Sequence, residues 1–149
     1  MKLKQNLYNQ CKAQLNTRLE VIQNKISDIQ NSLQSETKST AGDKHETGRA
    51  MLQLEREKTG QQLAQLQKQQ KILQKLNLEQ KHTKAAIGSV VKTSEANYFI
   101  CVSVGELNYN HELFYAISAA TPIGQLLLSK QVGDNIRFRT QEFIITEIL

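Results

Sequence analysis

The side chains with the most chemistry to offer stand in one short stretch, Gly42-Asp43-Lys44-His45-Glu46-Thr47. Asp43 and Glu46 are three positions apart, a spacing that puts both on one side of a helical turn. Two such carboxylates can share a divalent cation such as Mg²⁺, which takes oxygen ligands and keeps much of its water. They are too few to hold it tightly alone, so the remaining ligands would have to come from a partner. The same spacing is also a capping box, with Asp43 as N-cap and Glu46 reaching back to its backbone N–H. The two readings are compatible, because an exposed cap can still bind metal. His45 lies between the carboxylates, and a lone exposed histidine is more often a bystander than a ligand. Lys38, Lys44, Arg49 and Arg56 flank the stretch. They suit charge-assisted contacts to an anionic partner, and equally a plain solvated helix face.

Other reactive groups are sparse. Cys11 and Cys101 are far apart and fit no metal or redox spacing, so they read as free thiols in a reducing compartment. His82 and His111 have no identifiable partner. No apolar run follows Met1-Lys2-Leu3-Lys4, as a signal peptide would require. No stretch reaches the roughly 20 apolar residues of a membrane span. The expected location is cytoplasmic.

The elements that must position the acidic stretch are helical. Residues 1–86 contain no proline and are rich in Gln, Lys, Leu and Glu, all good helix formers. Leu3, Leu7, Cys11, Leu15, Leu19, Ile22, Ile26, Ile29 and Leu33 recur in steps of four or three, one stripe of a long amphipathic helix. The pattern fails over Ser35–Asp43. A thinner stripe follows, Leu52, Thr59, Leu63, Leu66, Leu73 and Leu76, with Gly60 inside it at a cost of about 1 kcal/mol relative to Ala. With no other core to pack on, the two helices pack on each other as an antiparallel coiled-coil hairpin over residues near 3–38 and 44–82. At 1.5 Å per residue such a rod is roughly 50–60 Å long, which suggests that reach is its purpose.

From residue 87 the pattern changes to short β-rich runs. Gly88–Thr93, Asn97–Val104, Leu113–Ser118, Asn135–Thr140 and Glu142–Leu149 read as strands, the last two as a hairpin around Thr140–Gln141. Thr121-Pro122 opens a short helix over Ile123–Leu128, Thr as N-cap and Pro at the first helical position. The fold class is α+β: a helical hairpin, residues 1–86, followed by a small sheet domain with one short helix, residues 87–149. Residues 1–86 hold 15 Lys+Arg against 8 Asp+Glu, and residues 87–149 hold 4 against 6, so the overall +5 is concentrated in the first part. A basic hairpin suits an acidic partner, nucleic acid or an acidic protein channel.

Two motifs in matching order resemble the GreA/GreB family of transcription elongation factors, which cleave backtracked transcripts. The family's tip motif, Gly-Asp-x-x-Glu-Asn, stands here as Gly42-Asp43-Lys44-His45-Glu46-Thr47. Its C-terminal stretch, Ile-Ser-x-x-Ser-Pro-Ile/Leu, a Gly-Lys and a Gly-Asp, stands as Ile117-Ser118-Ala119-Ala120-Thr121-Pro122-Ile123, Ser129-Lys130 and Gly133-Asp134. Three positions depart: Thr47 for Asn, Gly48-Arg49-Ala50 for Ala-Glu-Tyr, and Ser129 for Gly.

The resemblance implies an FKBP-like C-terminal domain that docks on RNA polymerase through Ser118, Thr121, Pro122 and Ile123. It implies a hairpin that enters the polymerase's secondary channel. Asp43 and Glu46 would there help hold a second Mg²⁺ beside the polymerase's own, the arrangement of two-metal hydrolysis, and Glu46 would orient or deprotonate the attacking water. The chain would then be an accessory factor, not an independent enzyme, a monomer whose partners are RNA polymerase and the nascent RNA 3′ end. Two alternatives remain. One is a non-cleaving binder of the same channel that inhibits or retunes the polymerase, favoured by the changes after Glu46. The other is a helical-hairpin chaperone or adaptor with no polymerase partner. Prolyl isomerase activity has little support, because the domain has no Trp and no aromatic-lined pocket in its pattern.

Overall fold

The computed structural model describes residues 2–38 and 42–149, the side chains of 36–38 and 42–45 excepted. Helix α1 spans Lys2–Lys38 and helix α2 spans Gly42–Gln74. The expected break over Ser35–Asp43 is therefore narrower than the sequence pattern suggests. Ser35, Glu36 and Thr37 stay helical, because each isolated Ser or Thr costs a helix only about half a kcal/mol. At the other end α2 stops eight residues short of 82. Leu76 N–H turns back to Leu73 O (3.2 Å) and Gln80 N–H to Asn77 O (3.3 Å). The Asn77 side chain accepts from Glu79 N–H (3.1 Å), the local bond by which Asn competes with helix.

The chain forms two compact units, residues 15–69 and residues 1–14 with 70–149. In the first, Lys25 meets Glu55 at 3.8 Å, and Thr17–Ile22 line a groove with Gln62–Leu66. Rising numbers on α1 thus face falling numbers on α2, and the hairpin is antiparallel. Leu19, Ile29 and Thr59 are buried in it. Thr59 fits an apolar seam because its hydroxyl donates to Glu55 O at 2.8 Å, four residues back.

The second unit is built on a six-stranded mixed sheet. Its strands are β1 (Val90–Thr93), β2 (Asn97–Cys101), β3 (Gly105–Tyr109), β4 (Glu112–Ser118), β5 (Asn135–Phe138) and β6 (Gln141–Ile148). The order is β3-β4-β2-β1-β6-β5. The pair β2–β4 is parallel and every other pair is antiparallel. The short helix α3, Pro122–Leu127, follows β4. The five expected strands and the helix all form: β1, β2 and β5 are shorter than expected, β4 gains Glu112, and α3 and β6 each start and end one residue earlier. The β5–β6 turn sits one residue earlier than expected, at Arg139–Thr140, with Arg139 in the left-handed region.

Strand β3 was not foreseen. It joins β4 through Asn110 and His111, both at positive φ (51° and 63°). Two consecutive positive values make the mirror-image turn whose twist suits a tight hairpin. Neither is the glycine that marks such a turn most clearly, so the sequence signal is faint. Leu107 is the strand's one fully buried side chain.

Both faces of the sheet are covered. Val91, Ile100, Ile136, Phe143 and Ile145 form a core with Ala85 and with Leu127 of α3. The alternate residues Val90, Phe99, Cys101, Leu107, Phe114 and Ala116 are buried on the opposite face, as the period of two requires. There Cys101 meets Cys11 of α1, beside which Leu7 is also fully buried. Among the described residues no helix is long and apolar enough to cross a membrane.

Candidate functional site

The acidic stretch falls where the second helix starts. Because α2 begins at Gly42, Asp43 is the second residue of its first turn, not the N-cap that a capping box requires. The backbone of Asp43, Lys44 and His45 is helical, and their side chains, like that of Lys38, lie outside the described residues. Glu46 follows on the same helix and is exposed. Carboxylates in a first helical turn are favoured by the partial positive charge of the free N–H groups. Arg49 and Arg56 are half-buried along α2. Among the described residues no cluster of three or more His, Cys, Asp or Glu could hold a metal ion.

The second motif forms one corner, and its four residues come together. Ser118 ends β4, with its N–H bonded to Ser103 Oγ at 2.9 Å. Its carbonyl accepts from the Thr121 hydroxyl at 2.7 Å, and Thr121 Oγ1 in turn accepts from Gly124 N–H at 3.1 Å. Thr121 is thus the N-cap of α3, with Pro122 at its first position, where proline's missing N–H costs nothing. Ile123 turns in to pack against the core, and Pro122 stays exposed. Gly124 makes the corner tight, because a Cβ there would run into the Ser118 carbonyl and lie 2.9 Å from Thr121 Oγ1. The result is a rigid knuckle that presents Pro122 and the Thr121 cap.

Ser129, which replaces the family's Gly, adopts φ 68°. It follows α3 in the left-handed conformation that glycine most easily supplies. Its N–H bonds Ala85 O at 2.7 Å, and Ala85 N–H bonds Lys130 O at 2.9 Å, so the strained residue ties the end of α3 to the segment before β1.

Three arrangements escaped sequence reasoning. Lys4 is fully buried, its Nζ donating to Gln80 O at 3.0 Å and lying 3.3 Å from His82 Nδ1. His82, which has no partner visible in the sequence, therefore has one. Burial pushes the Lys4 ammonium below its ordinary pKa. His82 is also pushed down, first by burial and then by the Lys4 charge, against a hydrogen bond to the Leu149 backbone. The signal was present: Lys4, Leu7 and Cys11 step by three and four, and Lys4, not Leu3, is the buried member. The second arrangement is Gln10, whose side-chain amide donates to Asn108 O at 2.8 Å and accepts from Asn108 N–H at 3.4 Å. It covers part of the open edge of β3, a strand edge that would otherwise invite pairing. The third is Cys11 with Cys101, not two isolated thiols but a pair with Sγ atoms 3.8 Å apart.

The architecture defines the class: an α+β protein with an antiparallel helical hairpin and a mixed six-stranded sheet carrying one short helix. No family model matches the chain, and no curated protein matches it either. A solved structure described as "Structure of the transcription factor Gfh1" is 20% identical, over 95% of this chain and 92% of that one, with a TM-score of 0.35.

Proposed function

We propose that this chain is a transcription factor that binds RNA polymerase, docking through the Ser118–Ile123 corner and inserting the helical hairpin into the secondary channel. It would there stimulate the polymerase's own cleavage of backtracked RNA. The observation that carries the reading is one of placement. The two stretches quoted for the Gre resemblance fall on two distinct devices, the start of α2 just past the hairpin turn and the capped corner between β4 and α3. In the second stretch Ile117, Ala119 and Ile123 pack against the core, while Ser118 and Thr121 build the cap and Pro122 stays exposed.

Asp43 and Glu46 would hold a Mg²⁺ jointly with ligands of the polymerase, an assignment consistent with the oxygen chemistry of the pair and the exposure of Glu46. When bound, the ion supplies charge stabilisation to the oxygens of the displaced phosphodiester. Glu46 orients the attacking water and takes its proton. Lys38, Lys44, Arg49 and Arg56 contact the RNA phosphates through charge-assisted bonds. The chain acts as an accessory to the polymerase, as a monomer, in the cytoplasm.

The test is cleavage of stalled, backtracked complexes. The double variant Asp43→Ala/Glu46→Ala should lose stimulated cleavage and keep its affinity for the polymerase. Asp43→Asn keeps the shape and the hydrogen-bonding capacity and removes the charge, so it should also lose most of the activity. Undiminished cleavage by both variants would end the metal-ligand assignment. The replacement of Ala-Glu-Tyr by Gly48-Arg49-Ala50 favours a second reading, a channel binder that does not cleave. Intact binding with no cleavage by the unmodified protein would select it.

A further inference from the structure

The two cysteines of the chain stand 90 positions apart in sequence, yet their sulfurs touch at 3.8 Å. One lies on the first turns of α1, the other at the end of β2, and both are free thiols. We propose that Cys11 and Cys101 are a reversible disulfide pair, oxidised by a hydroperoxide and reopened by thiols, which covalently fastens the start of α1 to the sheet.

Geometry is the first argument. A disulfide needs sulfurs at about 2.05 Å, and the two are in van der Waals contact with no atom between them. The sulfurs must approach by under about 2 Å to bond. Access is the second argument. Cys11 is wholly buried and Cys101 is 1% exposed, which excludes a bulky oxidant and admits a small peroxide during local opening. The Cys101 thiol is held well above its ordinary pKa, by its contact with Cys11 and by burial. Cys101 therefore resists casual oxidation in the closed state, since the thiolate is the reacting form.

The chemistry balances. One thiolate attacks a peroxide oxygen; an S–O bond forms, the O–O bond breaks, and the departing hydroxide takes a proton to leave as water. The second thiol then attacks that sulfenic sulfur; the S–S bond forms, the S–O bond breaks, and a second water leaves with the remaining thiol proton. Overall two thiols lose two electrons and two protons to one peroxide. A thiol reductant reverses the cross-link by exchange.

The consequence is local and definite. Cys101 is the register partner of Ser118 across the parallel β2–β4 pair. The cross-link therefore ties α1 to the strand adjoining the corner described above. The pairing stands on geometry alone and does not depend on any role at RNA polymerase.

The full-length protein treated with hydrogen peroxide tests it, with free thiols counted after denaturation and the intact mass recorded. The expected result is a fall from two free thiols per chain to none, a monomer lighter by two hydrogens, and a Cys11–Cys101 cross-linked peptide. The thermal midpoint should rise by several degrees, and a reductant should restore every value. The variants Cys11→Ser and Cys101→Ser, checked by circular dichroism, should each form no intramolecular cross-link and accumulate sulfenic or higher acids on the remaining cysteine. If peroxide gives only intermolecular dimers or sulfinic and sulfonic acids in the unmodified protein, the proposal is overturned. Two thiols that survive peroxide while one of them oxidises in a single-cysteine variant would overturn it equally.

Discussion

The two compact units are built on opposite economies. The unit of residues 1–14 and 70–149 packs both faces of its sheet, and Leu7, Cys11, Phe99, Ile100, Phe114 and Ile145 are buried to 1% or less. Among its described residues, the unit of residues 15–69 buries only Leu15, Leu19, Ile29 and Thr59. It leaves Val21, Met51 and Leu54 at least 60% exposed, and between its helices runs a groove of about 440 Å³. The difference teaches where each gets its rigidity. The sheet unit is held by interdigitated side chains, which tolerate no change in volume. The hairpin is built from good helix formers, but its packing rests on a thin seam, so few buried side chains hold its two helices together.

That contrast can be broken most sharply by a matched pair of truncations. Leu7→Ala should cost about 3 kcal/mol, as buried leucines do, and Leu66→Ala, on the half-exposed groove, about 1 kcal/mol. Urea unfolding of the two variants measures both, and equal losses would show that the hairpin seam is packed as tightly as the sheet. Gly124→Ala probes the least forgiving point of the sheet unit. The new Cβ meets backbone, which cannot rotate away, so the expected loss is about 2 kcal/mol, in the range of overpacking. If the proposed docking corner is right, the same variant should also weaken polymerase binding, because the methyl pushes on both the Ser118 carbonyl and Thr121 Oγ1.

Two glycine exchanges have smaller effects and opposite logic. Gly60→Ala in α2 should stabilise by about 0.5–1 kcal/mol, since the nearest atom, 3.0 Å from the new methyl, is the movable end of Arg56. Ser129→Gly should also stabilise, by a little less, by releasing the left-handed strain at φ 68°. Thermal melts decide both, and destabilisation by Gly60→Ala would mean that Arg56 holds a position the methyl spoils.

The smallest effect is one of pH. His82 titrates lower in the folded chain than unfolded, so the unfolded chain binds more protons as pH falls. The stability that rests on neutral His82 is present above about pH 6.5, the ordinary histidine value, and is lost as pH drops through its lower folded value. Denaturant midpoints at pH 7.5 and pH 5 should differ less for His82→Gln than for the unmodified protein. An unchanged difference would remove His82 as the cause.

Much of this was legible in the amino acids, and for a physical reason: it depends on neighbours in sequence. The two helices follow from a 3.6-residue stripe and from good helix formers. Five strands follow from alternation, and the cap of α3 from Thr121-Pro122, which sets its own local geometry. The three-residue spacing of Asp43 and Glu46 was legible for the same reason, since their backbones share the first turn of α2.

What only the tertiary structure decided depends on residues far apart in the chain. Helix α2 ends at Gln74 although the leucine stripe runs on to Leu76, and the stripe alone did not mark that end. Strand β3 exists because β4 offers it an edge, with one buried leucine of its own to show for it. Lys4 is buried because Gln80 and His82 happen to arrive beside it, and without them its charge would bar it from the seam. Cys11 and Cys101 meet because a helix and a strand cross, and no spacing rule reaches across 90 residues. Local propensity is written in adjacent side chains, whereas convergence of distant ones is settled only when the sheet closes and its faces must be covered.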